Sequence, residues 1–200
     1  MIRLMAPRWL VAIAALADLF PGPAQADVVS TAKVTYYTVA GSTPRTIFRN
    51  ILGRGPQVSG ADAIASIATR AVQDGSLKDT GGNCRMSGYR IRMTFLITRP
   101  RIARPGVLKV DDRAKWSQLN AFIIAHENRH KQNWLDCAAA LDRHLTAMSA
   151  PNCAQLAAKG EFMWKQMLLA CDRRQREFDS VQSWQLQQLP FMRKARSGTD

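Results

Sequence analysis

From Asp111 to Ser149 no glycine or proline interrupts the chain. Along this stretch Leu119, Ile123, His126, His130, Trp134, Cys137, Leu141, Leu145 and Met148 recur at steps of three or four. That spacing places them on one stripe of a helix with a buried face. The pattern predicts a single long helix, with Asp111 or Asp112 capping its start. Pro151-Asn152 breaks the pattern, and a second helix is expected from about Cys153 to Gln188, weakened at Gly160. A turn this short makes the two helices pack antiparallel.

The preceding residues read differently. Val34 to Val39 is rich in Val, Thr and Tyr and alternates, as a strand does. Thr43 as N-cap and Pro44 at the first helical position predict a short helix over 44–52, with Gly53 as its stop. Ala63 to Val72 fits a helix or a strand, and a short helix is the reading taken. Tyr89 to Ile97 is the clearest strand, with Tyr89, Ile91, Met93, Phe95 and Ile97 on one face. The expected fold is α+β: a small, mainly antiparallel sheet followed by a long antiparallel helical hairpin.

The ends of the chain carry their own signals. Arg3 and Arg8 precede an apolar run from Trp9 to Phe20, Pro21-Gly22-Pro23 follows, and Ala24-Gln25-Ala26 is small-x-small. That layout predicts a signal peptide over residues 1–26, cleaved after Ala26. Its apolar run is too short for the roughly 20 residues that span a bilayer, and no later segment qualifies. The working domain is expected over 27–189, with a basic disordered tail over 190–200. Export makes the protein periplasmic or secreted, where cysteines pair. Cys84, Cys137, Cys153 and Cys171 allow three pairings. Sequence alone does not choose among them; Cys84–Cys153 with Cys137–Cys171 is the one preferred. The 28 Lys and Arg outnumber 15 Asp and Glu. Such charge favours an anionic envelope surface, but without a nucleic-acid motif or interleaved aromatics it does not predict specific nucleic-acid binding.

His126-Glu127-Asn128-Arg129-His130 carries the chemistry. Four residues turn a helix by about 400°, so both imidazoles leave the same face one turn apart. Two imidazole nitrogens so placed can grip one Zn²⁺ at about 2.0–2.1 Å. Glu127, about 100° around the helix, can reach water at the metal and act as general base. Two packed core histidines are the plainer alternative, but two buried rings without partners are costly. His144 lies about 21 Å beyond His130 along a straight helix and cannot share the ion. On the second helix, the level of Asn128 falls near Arg174, so Asp172, Glu177 or Asp179 could supply the third ligand. Arg129 reads as a solvated charge. The Tyr89–Ile97 strand could offer an edge to an extended substrate.

Tyr36-Tyr37-x-Val39-x-Gly41, Gly55-Pro56, Cys84, His126-Glu127-x-x-His130 and Cys153 together resemble the DUF922 family, a bacterial domain of unknown function, over about Lys33 to Asp179. The resemblance implies an exported zinc-dependent protease with the ion at His126 and His130 and the base at Glu127. One departure stands out: the family pattern ends Asp-x-x-Thr-x-His-Gly, whereas this chain keeps Asp179 but has Gln182, Trp184 and Gln185. The expectation is thus a metallopeptidase-like zinc hydrolase acting on a peptide or protein. The rival is a non-catalytic exported protein that binds an anionic envelope component.

Overall fold

The computed structural model describes residues 27–197; the signal peptide expected over residues 1–26 lies outside them. The architecture is α+β. Strand β1 (Val28–Val39) leads to helix α1 (Pro44–Arg54), then to a two-strand ladder of β2 (Gln57–Val58) and β3 (Ala61–Asp62). The long strands β4 (Ser66–Asp79) and β5 (Cys84–Ile102) follow. Helix α2 (Val110–Ala147), the short strand β6 (Ser149–Ala150), helix α3 (Cys153–Gln188) and helix α4 (Pro190–Ser197) complete the described chain.

The main sheet has the order β1-β5-β4, with β6 added at the start of β5. β4 and β6 run antiparallel to β5, and β1 runs parallel to it. The alternation in β5 explains how the sheet sits. Tyr89, Ile91, Met93 and Phe95 are buried against Ala138, Leu141 and Leu145 of α2 and Met167 and Cys171 of α3, and Ile97 on the same face is buried too. Arg90, Arg92, Thr94 and Leu96 between them face solvent. One face of the sheet is thus covered by the helical hairpin and the other is wet, as an open antiparallel sheet permits.

The hairpin is antiparallel: His126 faces Asp179, His130 faces Gln175, and Cys137 is bonded to Cys171. The disulfides are Cys84–Cys153, which ties β5 to the start of α3, and Cys137–Cys171, which ties α2 to α3. Gly160 does not break α3, which runs through it, and a Cβ there would meet only the movable end of the Met86 side chain at 2.8 Å. No helix among the described residues is long and apolar enough to cross a membrane.

Four local expectations are corrected. α2 starts at Val110 with Lys109 at its N-cap, so Asp111 and Asp112 lie inside its first turn and do not cap it. Residues 66–72 are strand, not helix: Ile67, Thr69, Ala71 and Gln73 pair in register with Ile97, Phe95, Met93 and Ile91, and this tertiary pairing overrides a weak local pattern. α1 runs through Gly53 and stops at Gly55-Pro56, its start fixed by a capping box between Thr43 and Thr46. The stretch from Pro190 is not a disordered tail. It forms α4, whose Phe191, Met192 and Ala195 enter a core with Val39, Ile47, Ile51, Leu119 and Ile123. Lys194 of α4 donates to both oxygens of the buried Asp112 at 2.8 and 2.9 Å.

Gly55 marks where α1, the β3–β4 segment and β1 meet. A Cβ there would lie 2.5 Å from the Ala63 carbonyl and 2.6 Å from the Ile51 carbonyl, both backbone atoms that cannot easily yield. Nearby, Tyr37 donates to the Ile64 carbonyl at 2.7 Å. Gly55→Ala is therefore expected to cost about 1–3 kcal/mol by overpacking, read as a lower urea midpoint at unchanged slope.

Candidate metal centre

α2 is long and unbroken because no glycine or proline interrupts it, and its buried face carries Leu119, Ile123, Ala138, Leu141 and Leu145 with polar residues set among them. His126 and His130 leave it one turn apart and point across to α3. There Asp179 places Oδ1 3.1 Å from His126 Nε2 and 2.8 Å from His130 Nε2, and the two Nε2 atoms are 2.9 Å apart. Ligand atoms of all three residues lie within 4.8 Å of one another.

Gln175 decides which nitrogen of His130 is protonated. Its side-chain amide donates to the His130 backbone carbonyl at 3.2 Å, which fixes which end of the amide is oxygen. That oxygen, 2.6 Å from His130 Nδ1, must accept a proton from it. Asn133 donates to the same oxygen at 3.5 Å. The neutral ring then keeps its lone pair on Nε2, facing His126 and Asp179. Orientation of a ligating imidazole through its other nitrogen is the usual support of a metal site. Phe178 holds the ring planes, stacked on His126 at 4.9 Å and edge-on to His130 at 5.0 Å.

With His126 also neutral and its lone pair on Nε2, three electron-pair donors would face each other, an arrangement that a cation among them stabilises. A proton can bridge one pair at a time; a divalent ion can serve all three. Donors at about 2.0–2.1 Å on a tetrahedral shell stand roughly 3.3 Å apart, so the observed spacings of 2.8, 2.9 and 3.1 Å would have to open by up to about half an ångström to reach that arrangement. Two imidazoles and one carboxylate are also a donor set that suits zinc. The same groups can share protons in place of an ion. Burial works against the Asp179 charge, but hydrogen bonds from His126 and His130 then outweigh it and hold the carboxyl well below its ordinary range. Burial likewise works against charge on His130, but hydrogen bonds with Asp179 and Gln175 raise its pKa.

Glu127 is only 4% exposed, more buried than His126, although its position in the motif sets it off the apolar stripe. Its Oε2 has no hydrogen-bond partner among the described residues. Burial raises its pKa, partly offset by His126 and His130 and by Arg99 on β5. Glu127, His126, His130 and Asp179 all line one cleft of about 560 Å³ between α2, α3 and β4. That volume is in the range of ligand sites.

Of the three acids expected as third ligand, the hairpin brings only Asp179 to the histidines. Asp172 lies at the cleft but is bonded to Arg176, and Glu177 faces Arg173 on the exposed side of α3. The helices sit nearly a full turn out of the register that a turn centred on Pro151 implies, because residues 148–150 are extended and β6 pairs with β5. His144 is exposed, as expected, and so are Asn128 and Arg129. The Tyr89–Ile97 strand has no free edge: β5 is central and paired on both sides. The available edge is that of β4, whose Ser66, Ile67 and Thr69 line the cleft. Gln175, Phe178 and Arg99 were not anticipated. For Gln175 the signal was present, since it sits four residues before Asp179 and four after Cys171 on one face.

These features define the class: an α+β domain with a helical His-Glu-x-x-His motif and an aspartate of the next helix facing both histidines. The chain belongs to the family described as bacterial protein of unknown function DUF922, whose model matches residues 34–185. No curated protein matches it, and no solved structure does. The departure at the C-terminal end of the family pattern does not touch the donor group: Trp184 is 66% exposed and lies outside the cleft lining, while Gln182 is part of it.

Proposed function

We propose that this protein is an exported zinc-dependent peptidase in which His126, His130 and Asp179 hold the ion and Glu127 is the general base. The observation that carries the reading is the convergence of three ligand atoms within 4.8 Å at a cleft that also holds the buried Glu127. Zinc held there would supply Lewis acidity to the hydrolysis. Glu127 takes the proton from the attacking water and returns it to the leaving amine. The free edge of β4 favours an extended peptide as substrate, which would add to the sheet through main-chain hydrogen bonds. Two disulfides and the leader sequence support an oxidising location, periplasmic or secreted.

Metal analysis of the purified protein tests this reading. About one zinc per chain is expected in the wild type, and none after His126→Ala or Asp179→Ala. Gln175→Leu removes the hydrogen bond that orients His130 and is expected to weaken zinc binding about 10–100-fold in a chelator competition. Undiminished zinc affinity in Asp179→Ala would overturn the assignment.

A further inference from the structure

Asp142 lies on the buried side of α2, 2% exposed. One carboxylate oxygen, Oδ2, accepts the backbone N–H of Asp27 at 3.1 Å. The other, Oδ1, is buried with no partner among the described residues. A single neutral N–H leaves a buried carboxylate poorly compensated, and such groups are expensive unless paired. The neighbouring charges do not repair this. The Asp27 carboxylate is itself taken by Arg90 at 2.6 Å and adds a negative charge, and Arg143 offsets it only through space. Burial leaves the Asp142 carboxyl with a raised pKa.

The sequence supplies the missing charge. Asp27 is the first residue after Ala24-Gln25-Ala26, the small-x-small pattern of a leader cleavage site. In the uncleaved chain its nitrogen is a neutral amide. Hydrolysis adds the oxygen of water to the Ala26 carbonyl carbon and breaks the bond from that carbon to the Asp27 nitrogen. Ala26 leaves as a carboxylate, and the nitrogen keeps its electron pair and takes up protons to become an ammonium. An α-amino group has an ordinary pKa of about 7.7–8.0, and an adjacent carboxylate favours its charged form.

We infer that Asp142 is a receptor for the chain's own α-ammonium group, created by cleavage between Ala26 and Asp27. The ammonium brings three donors where the amide brought one, enough to serve both oxygens of Asp142. Asp27 is already held in place for this. Its carbonyl accepts from Ile91 N at 3.2 Å, its side chain pairs with Arg90, and Val28 beside it opens the β1 ladder opposite Ile91. Processing thereby pins the first strand to α2, the helix that also carries His126 and His130. The inference does not depend on zinc or on any catalytic role.

The test starts with the full precursor expressed in a bacterial host and recovered from its exported fraction. N-terminal sequencing and intact mass should show a chain beginning at Asp27; another start would overturn the proposal. Two chains are then compared by urea unfolding at neutral pH: one beginning at Asp27, the other retaining Ala26. The Asp27 chain should unfold with an equilibrium constant about tenfold smaller, and that advantage should vanish when both carry Asp142→Asn. An advantage that is absent, or that persists with Asp142→Asn, would refute it. Should Asp142→Asn fail to fold, acylation of the α-amino group by an activated ester decides the matter on the wild-type mature chain. It should run about tenfold slower in the native state than in urea, and equal rates count against the pairing.

Discussion

Glu127→Gln is expected to lower peptide hydrolysis about 10²–10⁴-fold while zinc content stays near one per chain. The substitution keeps the volume of the side chain and removes only its capacity to take a proton. Its Oε2 has no hydrogen bond to lose, and Glu127 does not belong to the group of converging ligand atoms. Zinc content and hydrolysis therefore separate: the first reports the donors, the second the base. Cleavage of a peptide mixture followed by mass spectrometry, run beside metal analysis, checks both. If Glu127 were merely a core carboxylate, Gln would leave turnover of the zinc-loaded protein unchanged and raise its stability, because a buried charge without a hydrogen-bonded partner is a burden. That pair of results would remove Glu127 from the mechanism.

The second large effect is on stability. Phe191→Ala should cost about 3–5 kcal/mol, measured as a fall in the urea midpoint. Phe191 is fully buried, edge-on to Trp116 at 5.4 Å, in the core shared by α1, α2 and β1. Little around it can collapse into the space, because the wall is built from Ile47, Ile51 and Leu119, each also fully buried. Damage there should also undock α4 and expose Asp112, whose strongest partner is Lys194. A cost below about 1 kcal/mol, in the range of surface substitutions, would mean that α4 does not pack as described.

The sequence carried the features that repeat. Alternation placed β5, and three-four spacing placed α2 and the face from which His126 and His130 emerge. The acids of α3 were narrowed to three because a hairpin fixes which residues stand level. The choice of Asp179 among them was not legible, because it depended on a shift of nearly one turn produced by the β6 pairing. β4 was misread because its strand character comes from its partner, not from its own composition. The residues after Pro190 looked like a basic tail because Arg193, Lys194 and Arg196 dominate the composition, yet Phe191, Met192 and Ala195 share a face. Three apolar residues in one short segment are too few to reveal such a face without the core they meet. Gln175 shares a helix face with Cys171 and Asp179, but an amide carries no metal-ligand signature, so its role shows only from its place beside His130.

The bridge between Cys137 and Cys171 joins the two donor-bearing helices two turns from His130, with their Cα atoms 6.1 Å apart there. It acts as a gauge block, setting how far the helices stand from each other independently of anything their histidines hold. The spacing of His126 and His130 from Asp179 is thereby supported by a bond that forms only under oxidising conditions. Made in reducing surroundings, the same polypeptide would have to hold that span by side-chain packing alone.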